Sequence, residues 1–241
     1  MLTCTFIFLL TIIASFIQRV SGFGFGIFVM MFFPFFLPSY GESVMLSGLL
    51  AGSTALLIAI RNWKYIHWRM MWIVVLFNLI TSFLATEYMA SLSNAILKQC
   101  LGVALILIAL YFLFGEGKIG KMFKSQPAQI TIGSISGVMG GMFAMPGPPV
   151  VLYCISTLKD KREYVATLQA FSVVFNVGYT LFRAKVGFYS DDTILWWMAG
   201  LVGGLIGTSL GTRCFEVISN RTLKRIVYVL MMISGIVAIF K

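Results

Sequence analysis

Two clusters of residues in this sequence could hold a ligand, and neither contains a carboxylate. The first is Gln18, Arg19, Ser21, Gly22, Phe23 and Gly24, and the second is Met145, Pro146, Gly147 and Pro148. Gln169, Ser172 and Asn176 follow at i, i+3 and i+7, one face of a helix, where they would either line a pathway or bond between helices. Amides, a hydroxyl and a guanidinium can all donate hydrogen bonds. Arg19 in addition carries a planar fork that fits an oxyanion, though a cytoplasmic loop arginine would read the same way. The eight acidic residues all fall in loops or at helix ends, so no mid-span carboxylate is placed to bind a cation or relay protons. His67 is the only histidine and lies in a basic loop, which leaves no Ser/His/Asp set. Cys4, Cys100, Cys154 and Cys214 are scattered and form no C-x-x-C motif. The chemistry on offer is anion recognition, with no enzyme, cofactor or metal expected.

What must position these residues is a membrane-embedded frame. The chain has 241 residues, 59% hydrophobic and 11% charged, with a mean hydropathy of +0.95. A soluble core of this size cannot hide that much apolar surface. The net charge of +10 lies in cations between apolar runs, where they orient the chain and meet lipid head groups. Nucleic acid is excluded as a partner on that ground, and the lipid bilayer is expected. Residues 1–17 lack the cationic start and cleavage site of a secretory signal and read as a retained helix.

Both clusters sit where apolar runs are interrupted. At about 20 residues per span, ordinary helices are expected over 44–60, 70–89, 96–114, 164–182, 193–212 and 223–240. Two longer runs, 2–38 and 129–158, are broken at Arg19–Gly26 and Gly140–Gly147 and read as hairpins of shorter helices. An interior Gly costs a helix about 1 kcal/mol and an interior Pro about 3. Such a break survives in lipid only where protein or a water-filled cavity satisfies the freed backbone. Residues 115–128 form the polar linker between halves 1–114 and 129–241.

The halves echo each other. Ser21-Gly22 and Pro34 recur as Ser136-Gly137 and Pro149, 115 residues on. Ser93-Asn94 with Leu97-Lys98 recurs as Ser219-Asn220 with Leu223-Lys224, 126 residues on. Paired Gly/Pro-interrupted segments point to a secondary transporter's binding site. If each long run is a hairpin, the second half is inverted. One side then collects Arg19, Arg61, Lys64, Arg69, Lys118, Lys121, Lys124, Lys159, Lys161, Arg162, Arg213, Arg221, Lys224 and Arg225. The other keeps Lys98, Arg183, Lys185 and Lys241, an asymmetry the positive-inside rule describes. Both termini are therefore expected on the extracytoplasmic side. Arg183 reads as an interfacial anchor. Gly200, Gly203, Gly204, Gly207 and Gly211 allow close helix packing, within one subunit by preference over a homodimer seam. The fold class expected is thus an all-α integral membrane protein of two inverted-topology repeats, each a broken-helix hairpin plus three transmembrane helices.

The run Gln18…Gly22-Phe-Gly-Phe-Gly26 with Pro34, and Ser136-Gly137…Met145-Pro-Gly-Pro-Pro-Val-Val-Leu-Tyr153, resembles the TauE/SafE family of sulfite and organosulfur-anion exporters. The resemblance covers essentially the whole chain. It implies a carrier in the plasma membrane, the inner one of bacteria, exporting sulfite, a sulfonate or a related anion. On this reading each hairpin tip lends residues to one central site and the halves rock to alternate access. An anion channel with the same tips as a static filter, or a non-transporting membrane subunit, are the other classes the residues permit.

Overall fold

Backbone hydrogen bonds that cannot be left bare in lipid force this apolar chain into helices. A computed structural model describes residues 2–114, 125–158, 160–215, 229 and 232–240. Its helices are α1 (Leu2–Ser21), α2 (Phe25–Met30), α3 (Phe33–Phe36), α4 (Tyr40–Arg61), α5 (Trp68–Ala90), α6 (Asn94–Phe114), α7 (Gln126–Phe143), α8 (Gly147–Thr157), α9 (Lys161–Lys185) and α10 (Thr193–Cys214). Residues 232–240 are helical as well, and a short 3₁₀ turn, Trp63–Tyr65, precedes α5. Five helices (α1, α4, α5, α9 and α10) are long and apolar enough to cross a membrane. The protein is an all-helical, multi-pass membrane protein. Most of linker 115–128, the Ser219-Asn220 motif and much of helix 223–240 lie outside the described residues.

Several helices begin earlier than hydropathy suggests, because polar caps rather than apolar residues start them. Ser39 and Glu42 form a reciprocal capping box on α4, with Ser39 Oγ accepting from Glu42 N at 3.1 Å and Glu42 Oε2 from Ser39 N at 2.9 Å. Asp160 accepts from the Arg162 and Glu163 amides and so starts α9 at Lys161.

The interrupted runs are not pairs of equal short helices. α1 and α7, with 20 and 18 residues, are roughly 27–30 Å long. α8 has 11 residues, roughly 16 Å, about half of a hydrocarbon core. The first run returns in two pieces, α2 and α3. Each second limb is therefore too short to cross a bilayer as one straight helix. The breaks also lie further apart than the Ser-Gly echo implies. Ser21 and Phe143 end the long limbs, and Phe25 and Gly147 start the short ones, 122 residues apart in both cases (143 less 21, 147 less 25).

Ser136 and Gly137 also serve a second contact. Gly133, Gly137 and Gly141 lie on one face of α7, against Val74, Asn78 and Ser82 of α5. The α5 hydroxyls of Thr81, Ser82 and Thr86 donate to the Ser134, Gly137 and Gly141 carbonyls at 3.1, 2.8 and 3.1 Å. The most extensive packings are α1 on α10, α5 on α7 and α4 on α9. In the first, Gly203 and Gly207 sit on the Phe8 and Ile12 carbonyls, and Gly200 packs on Ile7. The glycine stripe of α10 is thus used within the chain. Exposed Leu9, Leu84, Val177 and Leu181 face outward, as a lipid-facing surface allows.

Candidate functional site

The first break depends on glycine. Gly22 and Gly24 have φ of +84° and +102°, which side chains disfavour, and they turn the chain from α1 into α2. Ser21 closes the end of α1, its hydroxyl lying 2.7 Å from the Ile17 carbonyl and 2.6 Å from that of Phe23. In the second break Ala144 takes the left-handed conformation at φ +55°. Pro146 and Gly147 then lead into α8, whose Pro148 and Pro149 lack N–H groups where a helix start has spare ones. A second serine braces this turn: Ser136 Oγ donates to the Pro146 carbonyl at 2.5 Å and accepts from Asn78 Nδ2 at 2.9 Å.

The two breaks meet. A Cβ on Gly26 would collide with the Ala144 carbonyl, and one on Gly147 would sit 3.8 Å from Phe23 Cβ. Between them lies a cavity with about 50 Å³ of solvent-reachable space. On that measure one water needs about 10–15 Å³, so there is room for an ion of a few heavy atoms and none for a drug-sized ligand. Gln18, Gly22, Phe23 and Gly24 line it from the first break, and Met145, Pro146, Gly147 and Pro148 from the second. Gln169, Ser172 and Asn176 line it from α9, and Ala51 from α4.

Inside, the amides are in series. Gln18 Nε2 donates to Gln169 Oε1 at 2.9 Å, and Gln169 Nε2 donates to the Gly22 carbonyl at 2.8 Å. Thr54 Oγ1 lies 2.8 Å from Gln18 Oε1. Each amide NH₂ therefore commits one proton in these bonds and has a second one. Asn176 Nδ2 turns back to its own helix, bonding the Ser172 carbonyl at 2.8 Å.

Two expected residues are elsewhere. Ser21 is spent on the turn and does not line the cavity. Arg19, one residue and about 100° of helix beyond Gln18, points to α10 instead. Its Nε donates to Thr212 Oγ1 at 2.9 Å and its guanidinium lies 4.7 Å from the Phe215 ring centre. It borders a separate basin of about 510 Å³ with Arg61, Arg162 and Arg213. A further charged group, Arg183 on α9, is fully buried against Gly140 of α7, so it is no interfacial anchor. Its Nη2 donates to the Gly140 carbonyl at 2.9 Å, while Nε and Nη1 have no partner among the described residues. The guanidinium also lies 4.6 Å from the Tyr179 ring centre. A desolvated cation–π contact returns about 2 kcal/mol and a charged hydrogen bond about 1.5–3, against several kcal/mol for burying the ion. The spacing Gln169, Asn176, Arg183, seven and seven, puts all three on one helix face and was the signal for it.

Among the described residues no group of three or more His, Cys, Asp or Glu could hold a metal ion. The family model described as "Sulfite exporter TauE/SafE" matches residues 7–238. No curated protein and no solved structure matches the chain.

Proposed function

Because the chain belongs to the TauE/SafE sulfite exporter family, we propose that it carries a small sulfur-containing oxyanion outward across a plasma membrane, binding it in the cavity between the two helix breaks. The observation that carries this reading is the meeting of the breaks around a small, amide-lined space with no carboxylate in its lining. Sulfite has three oxygens to accept the second N–H protons of Gln18 and Gln169, and about 50 Å³ favours it over larger sulfonates.

The inverted-repeat architecture is part of the proposal, and helix partnerships support it. α1 on α10 and α5 on α7 exchange under a swap of the two halves, and α4 on α9 maps to itself. The caps at Ser39 and Asp160 fall 121 residues apart (160 less 39), close to the spacing of the breaks. Rocking one set of elements against the other would then expose the cavity to each side in turn. An inside-negative potential favours efflux of an anion by about 2.3 kcal/mol per charge per 100 mV, so export needs no coupled ion.

Purified protein in liposomes loaded with sulfite should give saturable efflux and counterflow. Gln169→Glu, which swaps a donor for a negative charge, should abolish both while the protein stays folded. Flux that rises linearly with concentration and lacks counterflow would instead indicate a channel. No flux from the pure protein would remove the transport reading altogether.

A further inference from the structure

We infer that Arg183, beside Asn176, forms a second anion station, distinct from the Gln18–Gln169 pair, which takes a small oxyanion through a two-oxygen contact with the guanidinium. The inference rests on the oxyanion-carrier reading above.

Its first support is the unused half of the guanidinium. Arg183 is wholly buried, and two of its three nitrogens have no acceptor among the described residues. The one bond it makes is not needed by its partner, since the Gly140 carbonyl already accepts from Ala144 N at 3.1 Å. Arg183 is therefore not explained as a cap for α7. The groups beside it are aromatic rings, Tyr179 at 4.6 Å and Phe175 at 5.6 Å, and no carboxylate pairs with it among the described residues. Tyr40 Oη is itself buried and unpartnered. Guanidinium N–H groups left without a partner are what an anion would complete.

The second support is position. A Cβ on Gly48 would collide with Arg183 Nη1 and lie 3.1 Å from Asn176 Oδ1, so a bare stretch of α4 holds these two side chains side by side. Asn176 also lines the central cavity. Along α9, Arg183 stands about 21 Å from Gln169, with Asn176 midway. An anion leaving the amide pair past Asn176 meets the Arg183 fork next. In the charge-derived orientation this lies on the extracytoplasmic side, the direction of export.

The test compares Arg183→Lys and Arg183→Gln with the wild type for sulfite affinity by calorimetry and for melting temperature. Lys keeps the charge and loses the fork, so affinity should fall about tenfold, and further in Arg183→Gln. Melting of Arg183→Gln should hold or rise, because an unpaired buried charge has gone. A purely structural arginine would give the reverse, lower melting with affinity within twofold, and that result overturns the inference. Should neither variant fold, the wild type decides, with selenite as an anomalously scattering stand-in for sulfite. Selenium within hydrogen-bonding reach of Arg183 Nη1 supports the station. Selenium between Gln18 and Gln169 alone overturns it and leaves the carrier reading intact. Failure of wild-type protein to bind sulfite or selenite at millimolar concentration overturns both.

Discussion

The same substitution at the two breaks should have opposite consequences. Gly26→Ala and Gly147→Ala each add one methyl group and each gain up to about 1 kcal/mol of helix propensity. At Gly26 the new Cβ runs into the Ala144 carbonyl, a backbone atom that cannot rotate away. Overpacking of that kind costs about 1–3 kcal/mol. At Gly147 the new Cβ meets only Phe23 Cβ, at an ordinary 3.8 Å. The propensity gains cancel in the comparison, which leaves the overpacking difference. At roughly 2–4 °C per kcal/mol for a chain of this size, Gly26→Ala should melt about 2–12 °C below Gly147→Ala. Sulfite binding should behave differently again. Gly147 borders a cavity with about 50 Å³ of free space, and a methyl group removes a large share of it. Gly147→Ala should therefore be a well-folded protein with little affinity, whereas Gly26→Ala loses stability. Scanning fluorimetry and calorimetry on the purified variants read the two effects separately. Equal melting temperatures would refute the contact between the breaks, and wild-type affinity in Gly147→Ala would refute the cavity as the binding place.

Ser136→Ala removes the brace on the second break and strands the Pro146 carbonyl and Asn78 Nδ2, so it should destabilise by about 1–3 kcal/mol in denaturation measurements. Arg19→Gln should leave sulfite affinity within about twofold, since Arg19 is outside the cavity, but slow anion uptake at low salt more than at high salt by weakening a basic basin. Stopped-flow binding at two ionic strengths checks this. Cysteines placed at Asn62 and Arg213 should be labelled from the same side, and one at Ser190 from the opposite side. Labelling of Ser190 together with Asn62 would reject the inverted arrangement.

The sequence was legible where backbone chemistry left few choices. Positive φ at Gly22 and Gly24 and consecutive prolines at the head of α8 can only mark interruptions, so both breaks show at the level of residue type. The pairing between breaks was harder to read. Ser and Gly serve turns and close helix packing alike, and Ser136-Gly137 belongs to the α5 seam as much as to the break. The Ser-Gly match spaces the breaks at 115 residues, whereas the helix ends that flank them lie 122 apart, a difference of seven residues or two helical turns. The arginines were misread for a related reason. Arg19 is next to Gln18 in sequence, but adjacent helical residues point about 100° apart. Arg183 looked terminal because hydropathy ends the helix at 182, while the chain continues helical to Lys185.

The Gln18–Gln169 hydrogen bond has a consequence for the unloaded protein. In a carrier that exchanges nothing, half of every cycle is the return of the empty protein. Bare donors would make that return slow, because an unsatisfied polar group in a dry interior is expensive to move. Here each amide spends one proton on an internal partner, so vacancy leaves one donor proton per amide bare instead of two. On the carrier reading, an arriving anion would be held by the second protons while the internal bonds stay in place. The internal bonds would then lower the cost of the empty return without having to break for the ligand.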